Sequence, residues 1–387
     1  MHNSEKENIR SLYKKLKEKA GTHSPSISNL KSQIPELEIK VDACFLSNPY
    51  ATELFFEHFN NDLIATKRIN NILEYYPSQN NSIAQVLGNE LGINPNKIFI
   101  SNGAIEAIQA IIHRFVNGKI LITIPTFSSY YEYAKPTDEV IYYNLKKETN
   151  FQLDIEDYIQ TVRKTKPNTI VLINPNNPDG GYVESKSLKI ILEELSWVEN
   201  IIIDESFIHF SYEDEKMHLN SIVSYLTNQK NIYVIKSMSK DFGIAGIRCG
   251  YAIMSENKVS TLLENGYLWN SNGLAEYFYR LYSKKEFINQ YELVRKKYIF
   301  ETIDFIKKLE TFNNIKAYPT KANFILIELL NGLNAEEVTT DLLCDFGVYV
   351  RNCDDKIGLD GQFIRVAARS MEENRVIIKA LESVTQI

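Results

Sequence analysis

The sequence predicts an α/β protein in which a large domain is built on a mostly parallel β-sheet between helices. A smaller α+β domain accompanies it. Between residues 85 and 255, short β-branched runs alternate with segments of helix length. These runs are apolar throughout, which is typical of parallel strands that are covered on both faces. After residue 275, helical segments alternate with a few strand-like runs, as expected for helices packed on a small sheet.

We divide the chain into three parts on this pattern. Residues 1–45 form a polar N-terminal arm that is rich in Lys, Glu and Ser. We expect a surface helix there, followed by a loop at His23–Ser28, and either a solvated leader or an edge helix fits the composition. The large domain covers 76–275, and the small domain combines 46–75 with 276–387.

The strand and helix predictions follow the apolar periodicity in chain order. Six runs are predicted strands of the large sheet: Lys97–Ser101, Lys119–Pro125, Thr169–Ile173, Asn200–Asp204, Asn231–Ile235 and Cys249–Met254. Between the first two, apolar residues from Ile105 to Phe115 recur on one helical face. The small domain is predicted to contain strands at Ala322–Glu328, Gly347–Arg351 and Phe363–Ala368, with helices at Glu286–Leu309, Ala335–Phe346 and the C-terminus.

Composition excludes several classes of protein. The chain has 387 residues and 49 acidic against 43 basic side chains, a formal charge of −6, which disfavours nucleic-acid and anionic-membrane binding. We find no apolar run of bilayer length and no signal peptide core. The four cysteines are scattered without a CxxC pair, so we expect reduced thiols, no metal site and a cytoplasmic location.

Five special residues fall at the carboxyl ends of five predicted strands: Gly103, Thr126, Asn177, Asp204 and Lys240. Ligands of open parallel sheets bind at these ends. Each residue also has a structural interpretation when taken alone, namely an ordinary turn, a salt bridge or a surface lysine. Because all five fall at the same edge, a shared ligand is the simpler explanation.

Three motifs together resemble the fold type I pyridoxal-phosphate (PLP) enzymes of the class I/II aminotransferase superfamily. They are N-P-N-N-P-D-G at Asn174–Gly180, D-E-S-F at Asp204–Phe207 and S-M-S-K-D-F-G-I-A-G-I-R-C-G-Y at Ser237–Tyr251. The resemblance runs in sequence order from about Ser47 to Ser370. It implies a seven-stranded sheet in the large domain and PLP as the cofactor.

The resemblance also implies roles for single residues around the ring of PLP. Lys240 would attach the cofactor covalently and later move protons at the substrate Cα. Asp204 would pair with the pyridinium nitrogen and keep the ring an electron sink. Asn177 would donate to the phenolic oxygen, and Tyr130 would stack on the ring.

The cofactor phosphate would be held by the turn at Gly103, by the backbone of Ala104 and Ile105, and by the Ser237 and Arg248 side chains. Tyr76 matches a family tyrosine that reaches this phosphate from a neighbouring subunit. A homodimer with composite active sites is therefore expected by analogy.

Three arginines are candidates for binding the substrate. Arg365 occupies the family position for the α-carboxylate, which a guanidinium fork binds bidentately. Arg351 and Arg369 are candidates for gripping a substrate phosphate, with surface salt bridges as their structural alternative.

The branch of the family that the chain resembles contains histidinol-phosphate aminotransferase and L-threonine-O-3-phosphate decarboxylase. Three details favour the decarboxylase. Phe207 stands where the aminotransferase usually has a hydrogen-bonding tyrosine, and the segments Trp269–Ala275 and Arg351–Ser370 resemble decarboxylase motifs. The departures are Asp179, where threonine is usual, and the divergent Ser47–Tyr50 segment.

We therefore predict a PLP-dependent decarboxylase that acts on O-phosphoserine or O-phosphothreonine and yields a phosphorylated amino alcohol. A PLP-dependent aminotransferase of the histidinol-phosphate type is the alternative. A non-catalytic binding protein of the same fold is disfavoured because Lys240, Asp204, Asn177 and Arg248 are all present.

Overall fold

The computed structural model describes residues 3–21, 23–226 and 230–385. The chain divides into two compact units. The large unit comprises residues 47–177 and 181–298, and the small unit comprises residues 1–46, 178–180 and 299–387.

The strands, in chain order, are β1 (Val41–Asp42), β2 (Ile98–Asn102), β3 (Lys119–Ile124), β4 (Glu139–Asn144), β5 (Thr169–Ile173), β6 (Asn200–Asp204), β7 (Ile232–Ser237), β8 (Cys249–Ile253), β9 (Ile315–Ala317), β10 (Phe324–Leu329), β11 (Val348–Tyr349), β12 (Arg351–Asn352) and β13 (Phe363–Ala367).

The α-helices are α1 (Asn3–Ala20), α2 (Ile27–Gln33), α3 (Pro49–Phe59), α4 (Ile69–Glu74), α5 (Asn80–Leu91), α6 (Ala104–Phe115), α7 (Ser129–Glu132), α8 (Ile155–Thr165), α9 (Ser185–Glu194), α10 (Glu256–Glu264), α11 (Gly273–Tyr282), α12 (Lys285–Leu309), α13 (Ala335–Phe346) and α14 (Met371–Thr385). Within the described ranges, none of these helices is both long and apolar enough to cross a membrane.

The large unit contains a seven-stranded sheet in the order β2-β8-β7-β6-β5-β3-β4. Strand β8 runs antiparallel to both of its neighbours, and the other neighbouring strands are parallel. This confirms the predicted fold class, and it places the carboxyl ends of β2, β3, β5, β6 and β7 along one edge. Sequence analysis missed the edge strand β4 because its residues are mostly exposed or half-buried, not apolar throughout.

The core of the large unit lies between α6 and the sheet. Ala107, Ile108 and Ile111 of α6 are buried in one cluster with Ile122 of β3 and Val171 of β5. Fully burying an Ile or Val side chain stabilises the fold by about 1.5–3 kcal/mol. This packing holds the first turn of α6 against the edge where the strands end.

The boundary between the units differs from the predicted domain boundary. Residues 47–75 and 276–298 group with the large unit, whereas sequence analysis assigned them to the small domain. The reason is aromatic packing: the ring of Phe55 in α3 lies 6.1 Å from the rings of both Tyr277 and Phe278 in α11.

The small unit contains an antiparallel sheet in the order β12-β13-β10-β9 and a parallel pair, β1 with β11. The N-terminal arm belongs to this unit. Ile9 and Tyr13 of α1 are buried in a cluster with Tyr349, and Arg10 forms an ion pair with Asp341 of α13. The arm is thus an edge helix, one of the two interpretations that its composition allowed.

Candidate functional site

The turn between β2 and α6 forms an anion cradle in the large unit. Gly103 precedes α6 with φ +78° and ψ 163°, a conformation that essentially only glycine adopts. A Cβ atom there would lie 2.5 Å from Nη2 of Arg248, so the guanidinium group rests directly on this glycine. The first helical residues, Ala104 and Ile105, carry N–H groups that have no acceptor within the helix. A helix N-terminus beside an arginine attracts an anion such as a phosphate.

Arg248 is held in place by the start of β8. Its backbone is left-handed, with φ +63°, and its Nη1 donates to the carbonyl oxygen of Ala245 at 3.1 Å. Two residues on, a Cβ atom at Gly250 would lie 2.5 Å from the backbone nitrogen of Ala104. The close approach between β8 and the start of α6 therefore requires glycine at this position of the strand. The same approach keeps Arg248, which precedes β8, beside the cradle.

Asp204 ends β6 as a buried carboxyl group, 3% exposed. Its Oδ1 accepts a hydrogen bond from the Ser206 N–H at 2.8 Å, and its Oδ2 accepts one from the Tyr130 hydroxyl at 2.8 Å. Burial raises the pKa of Asp204 above its ordinary value, although both donors oppose the shift. A cationic partner such as a protonated pyridine nitrogen would favour the ionised carboxylate.

The structure gives Tyr130 a contact that differs from the stacking role expected of it. Tyr130 has no exposed surface, lies in the core cluster of the large unit, and donates its hydroxyl to Asp204. A ring that stacks on a cofactor must present a face to the cleft. Phe127, three residues earlier, packs on the same cluster but is only partly buried, so it replaces Tyr130 as the stacking candidate. Its position directly after β3 was the signal that sequence analysis overlooked.

The loop after β5 carries Asn177, which is 8% exposed. The preceding residue, Asn176, ties this loop to the end of β3: its Oδ1 accepts from the Thr126 hydroxyl at 3.1 Å, and its Nδ2 donates to the Pro125 carbonyl at 2.9 Å. Thr126 thus has a structural role at the strand end. The role of Asn177 toward the phenolic oxygen of PLP remains a prediction.

Lys240 lies in the loop after β7, among buried polar neighbours. The lysine is half-buried, and its carbonyl oxygen accepts from the Asn48 N–H at 3.0 Å. Before it, the Ser237 hydroxyl oxygen accepts from the Ser239 N–H at 3.3 Å. After it, Asp241 forms a buried ion pair with Lys236, a pair that sequence analysis did not identify.

The residues present fit PLP. The cradle at Gly103 suits its phosphate, the buried Asp204 suits its ring nitrogen, and Lys240 offers an amine that would attach it. The buried hydroxyl groups of Ser128 and Ser239 have no hydrogen-bond partner among the described residues. Such buried polar atoms mark places where a polar ligand can bind.

Tyr76 lies on the surface of the large unit. It is 89% exposed, and its ring centroid lies 6.1 Å from that of Trp269, which is 58% exposed. A tyrosine so exposed within its own chain is compatible with the predicted contact to a neighbouring subunit. That contact remains a prediction.

The small unit brings Arg351 and Arg365 together as cross-strand partners of β12 and β13. Arg365 is 9% exposed and donates from Nη2 to the Cys44 carbonyl at 2.9 Å, and burial lowers its pKa. Arg351 is 8% exposed and pairs with both carboxylate oxygens of Asp355, at 2.6 and 2.7 Å. Two neighbouring guanidinium groups in a buried position can bind two anionic groups of one ligand.

Arg369 occupies a different setting at the start of α14. Its Nη2 lies 3.2 Å from Oε1 of Glu373, and its N–H donates to Asn374 Oδ1 at 2.8 Å. The ion pair with Glu373 is the kind of salt bridge that was the structural alternative for Arg369. The contact with Asn374 in addition stabilises the start of α14. A role in substrate binding stays a prediction for Arg369.

Known proteins share the sequence pattern and the fold of this chain. The family profile described as aminotransferase class I and II matches residues 56–381. The L-serine phosphate decarboxylase of Campylobacter jejuni is 52% identical over 98% of this chain and 97% of its own length. The structure of a decarboxylase from Sulfurospirillum multivorans superposes with a TM-score of 0.94 at 43% identity, covering 99% of this chain and 98% of that one.

A histidinol-phosphate aminotransferase from Clostridium acetobutylicum is more distant. Its structure superposes with a TM-score of 0.76 at 28% identity and covers 89% of this chain and 99% of its own. Both decarboxylases have a higher sequence identity to this chain and cover more of it, and the solved decarboxylase also superposes more closely.

Proposed function

Because the chain belongs to the class I and II aminotransferase family, we propose that it is a PLP-dependent decarboxylase of O-phospho-L-serine. The reaction releases carbon dioxide and leaves O-phosphoethanolamine, a phosphorylated amino alcohol. The observation that carries the assignment is the 52% identity to an L-serine phosphate decarboxylase over 98% of this chain. O-Phosphothreonine, which differs by one methyl group, is the substrate to compare with it.

The large unit supplies the cofactor-binding residues. When bound, PLP supplies an electron sink for the charge left when a bond at the substrate Cα breaks. Asp204 would hold the protonated ring nitrogen, and Tyr130 and Ser206 hold Asp204 in position. Lys240 would anchor the cofactor and transfer a proton at Cα.

The small unit supplies the substrate-binding arginines. The substrate group that the arginines bind would decide the reaction. If Arg365 bound the α-carboxylate, that group would be held in place and transamination would be favoured. If Arg351 and Arg365 bound the substrate phosphate instead, the carboxylate would stay free to leave as carbon dioxide. Arg351 and Arg365 lie opposite each other, which suits this second arrangement.

Phe207 supports the same choice. It stands where a tyrosine would hydrogen-bond the cofactor in the aminotransferase branch, and it is 5% exposed with no hydroxyl to donate. The tyrosine hydroxyl that would hydrogen-bond the cofactor in the aminotransferases is therefore absent from this position.

A homodimer is part of the proposal. Five apolar side chains, which we term the aromatic patch, are 58–89% exposed in the large unit: Phe56, Leu73, Tyr75, Tyr76 and Trp269. Exposed apolar patches of this kind mark protein–protein interfaces. The patch contains Tyr76, so an interface there would bring this tyrosine to the neighbouring subunit. A cytoplasmic location, which suits the buried free thiols of Cys44, Cys249 and Cys353, also remains a proposal.

The test is an assay of carbon dioxide release without any keto acid. We expect the PLP-loaded protein to release carbon dioxide from O-phospho-L-serine over many turnovers, and the Lys240→Ala variant to release none. Comparison with O-phosphothreonine defines the substrate. No release from either compound, together with conversion of bound PLP to its amine form by glutamate, would replace this proposal with the aminotransferase.

A further inference from the structure

The N-terminal arm lies before the part of the chain that the family profile matches. The family profile begins at residue 56, after α1, α2 and β1. The similarity to the Campylobacter jejuni decarboxylase spans 98% of this chain. The residues outside this span are fewer than those of the arm, so most of the arm lies within the similar segment. The arm therefore lies before the segment that the family profile matches and within the segment that is similar to the decarboxylase.

The loop between α1 and α2 carries Ser24 to the substrate-binding arginines of the small unit. The Ser24 hydroxyl oxygen accepts from Nη1 of Arg351 at 3.4 Å. The next residue, Pro25, is buried, and its carbonyl oxygen accepts from the Tyr349 hydroxyl at 2.9 Å. Ser26 then caps α2 by accepting from the Asn29 N–H at 3.1 Å. Contacts on both sides of Ser24 thus fix its position.

A third cation lies beside Arg351 and Arg365. Lys356 is 9% exposed, and burial lowers its pKa. Asp355 lies 2.6 Å from Arg351 Nη2 and 3.7 Å from Lys356 Nζ, so its single negative charge faces two cations. Burying cations costs solvation free energy, which an anionic ligand offsets when it binds among them.

We propose that Ser24 and Lys356 complete the phosphate-binding subsite with Arg351 and make the arm a specificity element. This inference rests on the proposed function. A phosphate monoester carries about two negative charges at neutral pH and three acceptor oxygens. The two cations supply charge-assisted donors, and the Ser24 hydroxyl, which lies beside Cys44 and Tyr349, can turn its hydrogen toward a phosphate oxygen while its oxygen still accepts from Arg351. L-Serine lacks the phosphate, so these contacts discriminate against it.

The test compares variants of the full-length, PLP-loaded protein. We expect Ser24→Ala and Lys356→Met each to raise KM for O-phospho-L-serine by about tenfold or more, the usual effect of losing a hydrogen bond to a charged group. The inhibition constant of inorganic phosphate should rise in parallel. The visible absorbance of bound PLP and the unfolding midpoint should stay unchanged. Lys356→Arg should retain most of the affinity.

Ser32→Ala is the matched control because Ser32 is an exposed serine of the same arm, hydrogen-bonded to the Asn29 carbonyl. Its KM and phosphate inhibition should equal those of the unaltered protein. Unchanged KM and phosphate inhibition in Ser24→Ala and Lys356→Met would overturn the inference, even if the unaltered protein releases carbon dioxide. If the unaltered protein releases none, the proposed function fails, and phosphate binding measured by calorimetry still tests the subsite.

Discussion

At the residue scale, Asp204 shows how a buried charge constrains the chemistry of the large unit. Its two carboxylate oxygens are held by the Tyr130 hydroxyl and the Ser206 N–H, both at 2.8 Å. Sequence analysis identified Asp204 because an acidic residue at the end of an apolar strand is costly without a partner. The hydrogen-bond partner of Asp204 within the chain, Tyr130, was not predictable in this way. Tyr130 lies 74 residues earlier, and only the folded sheet brings the two residues together.

We predict that Tyr130→Phe weakens PLP binding by about tenfold, since a hydrogen bond to a charged group is lost. Burial already raises the pKa of Asp204, and the Tyr130 donor lowers it. Loss of that donor raises the pKa of Asp204 further, so the carboxylate is protonated at a higher pH. The defect should therefore grow as the pH falls from 8 to 6.

Titration of the apoprotein with PLP at several pH values measures this effect. Tyr133→Phe is the control because Tyr133 lies close by in sequence and its ring packs on His113. A Tyr130→Phe defect that is the same at every pH would contradict the role of the hydroxyl toward Asp204.

At the scale of elements, the turn from β2 into α6 is the part of the site that the sequence predicted in detail. Gly103, the first helical residues and Arg248 were all expected to bind the cofactor phosphate, and the structure places the Arg248 guanidinium group directly on Gly103. Strands buried on both faces were also predictable. The edge strand β4 was not, because exposure on one side removes the continuous apolar run on which the prediction depends.

Gly103→Ala should weaken PLP binding by about tenfold or more, since the added methyl group would displace the Arg248 guanidinium and its charge-assisted contact. Gly92→Ala is the control: Gly92 has φ +66°, and a Cβ atom there would meet nothing within 4 Å. We expect the control to lose about 1–2 kcal/mol of folding stability through its left-handed backbone, with normal PLP affinity. Equal PLP affinities for the two variants would argue against the cradle.

At the scale of the whole molecule, domain boundaries were harder to predict than strands. Residues 47–75 and 276–298 join the large unit through contacts such as those of Phe55 with Tyr277 and Phe278. Packing between segments more than 200 residues apart leaves no local pattern in the sequence.

We predict that Leu73→Asp, in this patch, converts a dimer into monomers, because an ionised carboxylate is costly in a buried apolar interface. Ile190→Asp on α9 is the control, since Ile190 is also exposed, at 42%, but lies outside the patch. Sedimentation equilibrium gives the mass of each variant. A Leu73→Asp variant that remains dimeric would show that the interface lies elsewhere.

The measurement that tests the account most directly is the stoichiometry of products from O-phospho-L-serine. The PLP-loaded protein, given this substrate and no keto acid, should release one carbon dioxide for each O-phosphoethanolamine formed, over many turnovers. Carbon dioxide can be trapped and counted, and the amine can be followed by phosphorus NMR. A phosphorylated keto acid as product, formed without carbon dioxide and only once per active site, would contradict the account.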